Sequence, residues 1–483
     1  MTEWKSIVGL EIHAELMTRS KMFSPCPVVD SVTAPPNTAV DEVSLGLPGT
    51  LPVINKEALE LAMMVGLALN CEIPPINQFA RKSYFYPDLP KGYQISQYDR
   101  PLCVNGYLDI DLSDGTTQRI RIRRAHLEED TGKLIHSGDD SLVDYNRAGV
   151  PLLEIVTEPD IHSPEAAEAF ARKLRAILQY IGVNDGDMSK GVMRIEPNIS
   201  VMHKDDTGYR TRTEVKNLNS IRAVVRSIEY ETKRQISAWE DGEGVRQATM
   251  GWDEVRQRTV VQRYKETAEE YRYFPEPDLP IVEVSREWVE QVRSRMPELP
   301  DAKLDRFVSE LGLGRYDASV LVADQDIAHY FEDVLAGGAN PKSAANWILG
   351  NLFALVNKDG ADREVVPERV PATYMASLVK LIDEGAINKN TGLTVLTEMW
   401  ETGADPQKIV QEKGLAQVSD TSVIETAVMQ VLAENDNLVR DYLGGKDKVF
   451  GPLLGKVMGA TGGKANPQVA RDLLTKALEA KKG

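Results

Sequence analysis

Val8-Gly9-Leu10-Glu11-Ile12-His13-Ala14-Glu15-Leu16 alternates apolar residues with small or polar ones. Along an extended chain successive side chains point to opposite faces. Glu11, His13 and Glu15 therefore share one face, and Leu10, Ile12, Ala14 and Leu16 share the other. The alternation recurs in Met193-Arg194-Ile195-Glu196, in Asn198-Ile199-Ser200-Val201, and around Thr213 and Val215, where Arg212, Glu214 and Lys216 fall together. Several strands with one apolar and one strongly polar face predict an antiparallel sheet covered on one side only.

Helices supply the cover. Ser163-Pro164-Glu165 reads as an N-cap and first turn. Phe170, Leu174, Ile177, Leu178 and Ile181 then form one helical stripe. A second helix carries Ile221, Val225, Ile228, Thr232, Ile236 and Trp239 toward a stop at Gly242. With 483 residues the chain is too long for one core. A break is predicted around Met296-Pro297-Glu298-Leu299-Pro300, after which strand signals fade and helical periods such as Trp347, Ile348, Leu352, Leu355 and Val356 take over. A second break falls in the turn Gly403-Ala404-Asp405-Pro406. The expected fold class is α+β, with a sheet domain over 1–295, an all-helical domain over 296–405 and a small helical tail over 406–483.

Composition narrows the function classes. The chain starts without a basic region followed by an apolar run, so no secretory signal is expected. Its most apolar early stretch, Leu59 to Leu69, is interrupted by Glu60 and is too short to span a membrane. The three cysteines, Cys26, Cys71 and Cys103, form no C-x-x-C pair, which argues against a disulfide framework and for a cytoplasmic setting. A formal net charge of −17 argues against nonspecific nucleic-acid binding over the whole surface, so any such contact needs a local basic patch. One candidate basic patch lies at the end: from 444 to 483 there are eight Lys/Arg against three acids. That patch is either a backbone-tracking surface or a solvated helical end.

His126-Leu127-Glu128-Glu129-Asp130-Thr131-Gly132-Lys133 follows the run Arg119-Ile120-Arg121-Ile122-Arg123. Two carboxylates about 4 Å apart repel by roughly 4 kcal/mol at an effective dielectric near 20. Such acids either line a solvated face with the arginines as partners or converge on a hard cation such as Mg²⁺. Glu128 and Glu129 point opposite ways on a strict strand, and a turn toward Thr131-Gly132 would bring them together. Glu154, Glu158 and Asp160 add acids nearby. The chain has no G-x-x-x-x-G-K-[ST], no G-x-G-x-x-G opening a helix, no H-E-x-x-H and no G-x-S-x-G. Any nucleotide chemistry must therefore be done on the sheet face. Arg81-Lys82-Ser83-Tyr84-Phe85-Tyr86-Pro87-Asp88-Leu89-Pro90-Lys91-Gly92-Tyr93-Gln94 mixes rings, prolines and cations without periodicity. It reads as a stiff loop whose rings either stack on a terminal base or pack as an aromatic corner.

These motifs, with Leu45-Gly46-Leu47-Pro48-Gly49, Asp144-Tyr145-Asn146-Arg147-Ala148-Gly149-Val150-Pro151-Leu152-Leu153-Glu154, Glu214-Val215-Lys216-Asn217-Leu218-Asn219-Ser220, Tyr271-Arg272-Tyr273-Phe274-Pro275 and Gly463-Lys464-Ala465-Asn466-Pro467, resemble the B subunits of aspartyl/glutamyl-tRNA amidotransferases essentially end to end. The resemblance implies a cradle domain related in fold to glutamine synthetase, then a helical domain, then a tail that grips tRNA. It implies work beside a glutaminase A subunit and a small C subunit, as a heterotrimer. The implied reaction is ATP-dependent phosphorylation of the side-chain carboxylate of Glu-tRNA(Gln), Asp-tRNA(Asn) or both, followed by amidation. The implied cofactors are ATP and Mg²⁺.

By motif position, Glu11, His13, Glu128 and Glu129 resemble the family's metal-binding and catalytic cluster, with Glu154 as a further ligand. Lys82, Tyr84, Lys91, Arg147 and Lys216 are expected to contact phosphate, carboxylate or base, and Asn198, Asn217 and Asn219 to donate hydrogen bonds. Lys446, Lys448, Lys456 and Lys464 are expected to track the tRNA backbone. Some relatives hold the first loop with two pairs of cysteines on zinc. Here the stretch from Lys21 to Ser44 keeps only Cys26, so no zinc is expected. No amidase or cysteine glutaminase signature is evident, so ammonia must come from a partner. Two other classes fit less of the chain: a different ATP-dependent carboxylate–amine ligase or guanidino kinase, and a noncatalytic tRNA-binding scaffold.

Overall fold

In the computed structural model, which describes residues 3–264, 271–416, 421–462 and 465–481, the alternating opening segment is a strand, β1 (Trp4–Glu15), inside an eight-stranded sheet. The others are β2 (Cys103–Asp111), β3 (Thr117–Glu129), β4 (Pro151–Thr157), β5 (Met193–His203), β6 (Thr213–Lys216), β7 (Ala248–Asp253) and β8 (Arg258–Tyr264). Their spatial order is β8-β7-β6-β5-β1-β4-β3-β2. The sheet is antiparallel except between β6 and β7, which pair in parallel. A purely antiparallel sheet is therefore corrected to a mixed one. The cause is local: helix α3 (Ile221–Glu240) lies between β6 and β7 and makes the crossover that parallel strands require.

The even-numbered residues of β1, Leu10, Ile12 and Ala14, are buried in a core shared with α1 (Lys56–Ala68), α2 (Pro164–Tyr180) and α3. Ser163 caps α2 by accepting from the Ala166 amide, and Phe170, Leu174, Ile177 and Leu178 face the core. On α3 the buried face runs Ile221, Val224, Ile228, Glu231, Gln235 and Ala238, one residue round from the apolar stripe read from sequence. Two polar residues occupy core positions there. Glu231 accepts from Thr213 Oγ1 (2.7 Å), Thr259 Oγ1 (2.7 Å) and Arg234, while Gln235 Nε2 donates to Ile199 O (3.0 Å). This network ties α3 to β5, β6 and β8. Glu231→Ala removes the acceptor of both threonine hydroxyls, leaving Thr213 Oγ1 only the bond it accepts from Gln235 Nε2 (2.9 Å), and is expected to cost about 3 kcal/mol. Thermal unfolding should show a fall of several degrees; an unchanged transition would contradict the network's role.

The chain divides into two compact units, Met1–Pro300 and Asp301–Gly483. A small sheet in the first unit joins Phe274–Pro275, Ala80–Ser83 and Tyr93–Ser96. The loop between the last two is ordered: Tyr84 N donates to Gly92 O, and Asp88 O accepts from Gly132 N. A Cβ on Gly132 would sit 3.0 Å from the Tyr145 ring and 3.1 Å from Asp144 O, so a larger residue would have to push these neighbours back by a few tenths of an ångström. The segment bearing Cys26 is organised by Lys21, whose buried ammonium donates to Ala39 O (2.8 Å), Ser44 Oγ (3.3 Å) and Tyr145 O (3.3 Å).

The second unit is helical. Helix Pro341–Asn346 runs through a π-helical segment, Trp347–Leu352, into Phe353–Asp359. Helix Pro406–Glu412 packs on Ala372–Asp383 and Lys389–Thr402. A separate cluster, including Ile424, Val428, Leu432, Leu453, Val457, Leu474 and Leu478, holds the last helices together. Among the described residues no helix is long and apolar enough to cross a membrane.

Candidate functional site

One face of the large sheet collects the titratable residues. In register, His126 lies opposite Glu154, Glu154 opposite His13, and His13 opposite Arg194. Glu11 lies opposite Glu196, and Asn198 opposite both Gly9 and Glu214. Directly opposed residues share a face, so all of these project the same way. A bulge in β3 decides which glutamate joins them. Ile122 pairs with Thr157, but Arg124 pairs with the next residue, Val156. The extra residue shifts the alternation, so that Arg124, His126 and Glu128 continue the face begun by Arg119, Arg121 and Arg123. Without it, strict alternation would aim Glu129 at the site and bury Glu128 behind the sheet.

The outcome is a carboxylate–imidazole cluster. His13 Nε2 lies 3.8 Å from Glu11 Oε1, 3.7 Å from Glu128 Oε1 and 3.5 Å from Glu154 Oε2. These spacings exceed good hydrogen bonds. Two triads, Glu11–His13–Glu196 and His13–Glu128–Glu154, each place one donor atom per residue within 4.8 Å of the others. Carboxylates with one imidazole suit a hard divalent cation. The His13 Nδ1 atom is buried without a hydrogen-bond partner.

Burial and the neighbouring charges shift the titration of Glu11, His13, Glu128 and Glu154. Burial, then the Glu154 charge, pushes the Glu11 carboxyl up to about 7 against the pull of His13. Burial also raises Glu128, with Lys82 opposing it. Burial disfavours the charged form of His13, but the close approach and charge of Glu154, with the charges of Glu196 and Glu11, outweigh it and push the imidazole up to about 9. Burial likewise opposes ionisation of Glu154, yet His126, His13 and Lys82 hold its carboxyl well below the usual range. His126, fully buried, is pushed down to about 4, so it is charged only in the acid range where Glu154 titrates and is neutral near pH 7. In the ion-free chain a protonated His13 thus supplies the central charge. A divalent cation at His13 Nε2 would have to compete with that proton.

Glu11 carries a pH prediction. Its carboxyl is protonated in the folded chain and ionised in the unfolded one between 4.5 and about 7. Raising the pH through that window therefore weakens the fold. Without divalent cations, the advantage in melting temperature of Glu11→Gln over wild type should grow from about pH 5 to about pH 7.5. An advantage independent of pH would contradict the assignment.

The remaining expected residues are dispersed around this centre. Glu129 faces away from the cluster, where Lys91 Nζ holds both its oxygens at 2.5 Å and the Ile95 amide donates at 2.9 Å. Strand β3 runs through Glu129, so the turn that would have brought both glutamates together comes too late. Lys91 is consequently a partner of Glu129. Arg147 braces the turn, donating to Thr131 O (2.9 Å) and Gly132 O (3.0 Å). Lys82 sits beside Glu128, Tyr273 and Glu154, whose influence overcomes its burial and keeps it charged. Lys216 donates to Glu196 (2.6 Å) and lies 3.4 Å from Glu214. Asn217, with φ +62°, and Asn219 follow β6 as exposed residues. Tyr84 is half-buried and stacks on Tyr86. Lys446, Lys448 and Lys456 are exposed; Lys464 lies outside the described residues.

A cavity of about 470 Å³ opens beside the cluster, lined by Glu11, Glu154, Asn198 and Glu214 together with Arg121, Arg123, Arg124, Arg210 and Arg212. Arg121 pairs with Asp160 and Arg123 with Glu158 at its rim. Neither Glu196 nor Glu214 was named as a site residue, although the alternation of their strands placed both on the polar face and Glu214 opens one of the family-like motifs.

Comparison with known proteins yields two family matches: residues 6–290 to the GatB/GatE catalytic domain and residues 329–478 to the GatB domain. The chain is similar to the B subunit of the aspartyl/glutamyl-tRNA(Asn/Gln) amidotransferase of Caldicellulosiruptor saccharolyticus, with 50% identity over 480 residues and 99% of each chain covered. The protein of the same name in Herpetosiphon aurantiacus is 49% identical over 483 residues, again with 99% of each chain covered. That of Thermodesulfovibrio yellowstonii is 48% identical over 478 residues, covering 99% of this chain and 100% of the relative.

Proposed function

The chain belongs to the family of aspartyl/glutamyl-tRNA(Asn/Gln) amidotransferase B subunits, and from that premise we propose that its sheet face activates the misacylated amino acid. The substrate is Glu-tRNA(Gln), Asp-tRNA(Asn) or both. A glutaminase A subunit supplies ammonia, and a small C subunit completes a cytoplasmic heterotrimer. The sheet and its helices would then be a cradle of the glutamine synthetase type. The observation that carries this reading is the convergence of Glu11, His13, Glu128, Glu154 and Glu196 at the edge of an arginine-lined cavity.

A free carboxylate is a poor electrophile because its leaving group would be an oxide. Transfer of the ATP γ-phosphoryl to a carboxylate oxygen releases ADP and leaves phosphate as the departing group. Ammonia then attacks the carbonyl carbon, phosphate departs with the oxygen, and the nitrogen loses a proton to give the amide. Bound Mg²⁺ would neutralise charge on the transferring phosphoryl group. Glu11, His13 and Glu196, and His13, Glu128 and Glu154, are the residues that would hold it. Arg124 and Arg212 line the cavity, and Arg121 and Arg123 would have to exchange their carboxylate partners, Asp160 and Glu158, for phosphate. Asn198 presents an amide to the same space. Lys82, kept charged beside Glu128 and Glu154, is placed to attract the substrate carboxylate. Neutral His126 lies 3.5 Å from Glu154 Oε2 and limits how that carboxylate can turn.

Reconstitution with both partner subunits, glutamine, ATP and each misacylated tRNA tests the reading. Glutamine or asparagine should be recovered from the tRNA, and its identity names the substrate. ATP turnover with a free amino acid and no tRNA would instead support a small-molecule ligase.

A further inference from the structure

Arg124 stands outside every ion pair formed among the described residues, and its Nε atom is buried with no hydrogen-bond partner. The other arginines of β3 are committed. Arg119 pairs with Asp109 at 2.7 Å, Arg121 with Asp160 at 2.7 Å and Arg123 with Glu158 at 2.9 Å. The β3 bulge accounts for the difference. It brings the consecutive residues Arg123 and Arg124 onto one cavity wall, and Arg123 already holds Glu158. A guanidinium nitrogen cut off from water and left without an anion is costly, so this one points to an anion that arrives with a ligand.

The register shows where that anion would sit. Val156 lies opposite Arg124 on one side and opposite Glu11 on the other, and Glu11 lies opposite Glu196. Directly opposed residues share a face, so one row runs Arg124, Val156, Glu11, Glu196. Two strand spacings, about 10 Å, separate the backbones of Arg124 and Glu11, with only a valine between them. The cavity opens over this short side chain, and Arg124, Val156 and Glu11 all line it. The neighbouring row has no such gap, because Glu154 fills it and comes within 3.5 Å of both His13 and His126. The Tyr98 ring, centred 5.9 Å from the Arg124 guanidinium, limits its swing without neutralising it. The space over Val156 is thus bounded by an unpaired cation on one side and by the carboxylate cluster on the other.

We propose that Arg124 grips the phosphoryl group during its transfer and keeps hold of it until it leaves as phosphate. The inference rests on the activation chemistry above and assigns one residue to one step of it. When ammonia forms the C–N bond, the C–O bond to the phosphate breaks, the nitrogen gives up a proton, and phosphate departs with the electron pair. Negative charge on the phosphate oxygens grows in that step. A guanidinium fork offers two parallel N–H donors to such oxygens and stabilises them most as the charge develops. Arg121 and Arg123 could serve only by releasing Asp160 and Glu158, whereas Arg124 gives up no carboxylate.

The reconstituted three-subunit complex, supplied with misacylated tRNA, ATP and ammonium chloride, tests this without the glutaminase step. Arg124→Gln should lower kcat for ADP release and for amide formation together, by a factor of about 10² to 10³. KM for ATP should move by less than about tenfold, since the lost contact belongs to the transition state. The melting temperature of the variant should hold or rise, because an unpaired buried charge has been removed. Arg124→Lys keeps the charge but loses the fork and should recover little of the rate. Added guanidinium ion should restore part of the rate of Arg124→Ala. A rate untouched by Arg124→Gln, a rise in KM alone, or a fall in melting temperature with no rescue by guanidinium overturns the proposal. The wild type separates the two claims. Amide formed there without ATP consumption sinks the activation chemistry itself; ATP-dependent amide formation that Arg124→Gln leaves intact sinks the role of Arg124 alone.

Discussion

Glu128→Gln is expected to lower amide formation by the reconstituted complex by about a thousandfold while raising the melting temperature of the ion-free chain. The two effects share one cause. Glu128 is buried beside Glu154 and the cationic Lys82, and burial raises its carboxyl above the usual value. A carboxyl raised on folding costs stability at every pH above its unfolded value, so the neutral amide relieves the fold at neutral pH. The same amide withdraws a full charge from where a cation would be held. Removing a single preorganised electrostatic group from a water-excluded site typically costs a factor of about 10² to 10³. Steady-state rates with misacylated tRNA and thermal unfolding in chelator check the pair of outcomes. Full activity with unchanged stability would reduce the cluster to a solvated face.

The second large effect concerns the tail. Replacing Lys446, Lys448 and Lys456 together by alanine should weaken tRNA binding by about 10- to 100-fold at moderate salt. The slope of log affinity against log salt should fall by about 2 to 3, since each lost phosphate contact removes roughly 0.7 to 0.9. All three lysines are exposed, and the ion pair of Lys446 with Asp441 at 3.0 Å is a surface pair of little value. Binding measured over a salt series decides; an unchanged slope would place the tRNA contact elsewhere. A truncation with the same aim belongs beyond Glu412, because helix Pro406–Glu412 packs on the helices before it.

Much of the sheet was legible because period-two alternation is a direct consequence of backbone geometry. Strand β1 needed nothing beyond its own alternating pattern, and Ser163 announced α2 by its capping chemistry. Three features escaped for physical reasons. The β3 bulge is a register event between strands, invisible along one strand, and it alone selects Glu128 over Glu129. The buried face of α3 carries Glu231 and Gln235, which an apolar stripe cannot show because their partners lie on β5, β6 and β8. The parallel pairing of β6 and β7 depends on where α3 returns the chain. At the site, charge and motif grouped Arg147 and Lys91 with the phosphate contacts, but both are committed to bracing the β3 turn and its glutamate. Glu196 was readable from alternation and lacked only a reason to prefer it.

Crystals of the complex soaked with Mn²⁺ and a non-hydrolysable ATP analogue give the most direct test, through anomalous scattering. An ion about 2 Å from His13 Nε2 and from carboxylate oxygens of Glu128 and Glu154 is the predicted result. Ordered nucleotide with manganese bound anywhere else, and His13 still facing bare carboxylates, would contradict the account.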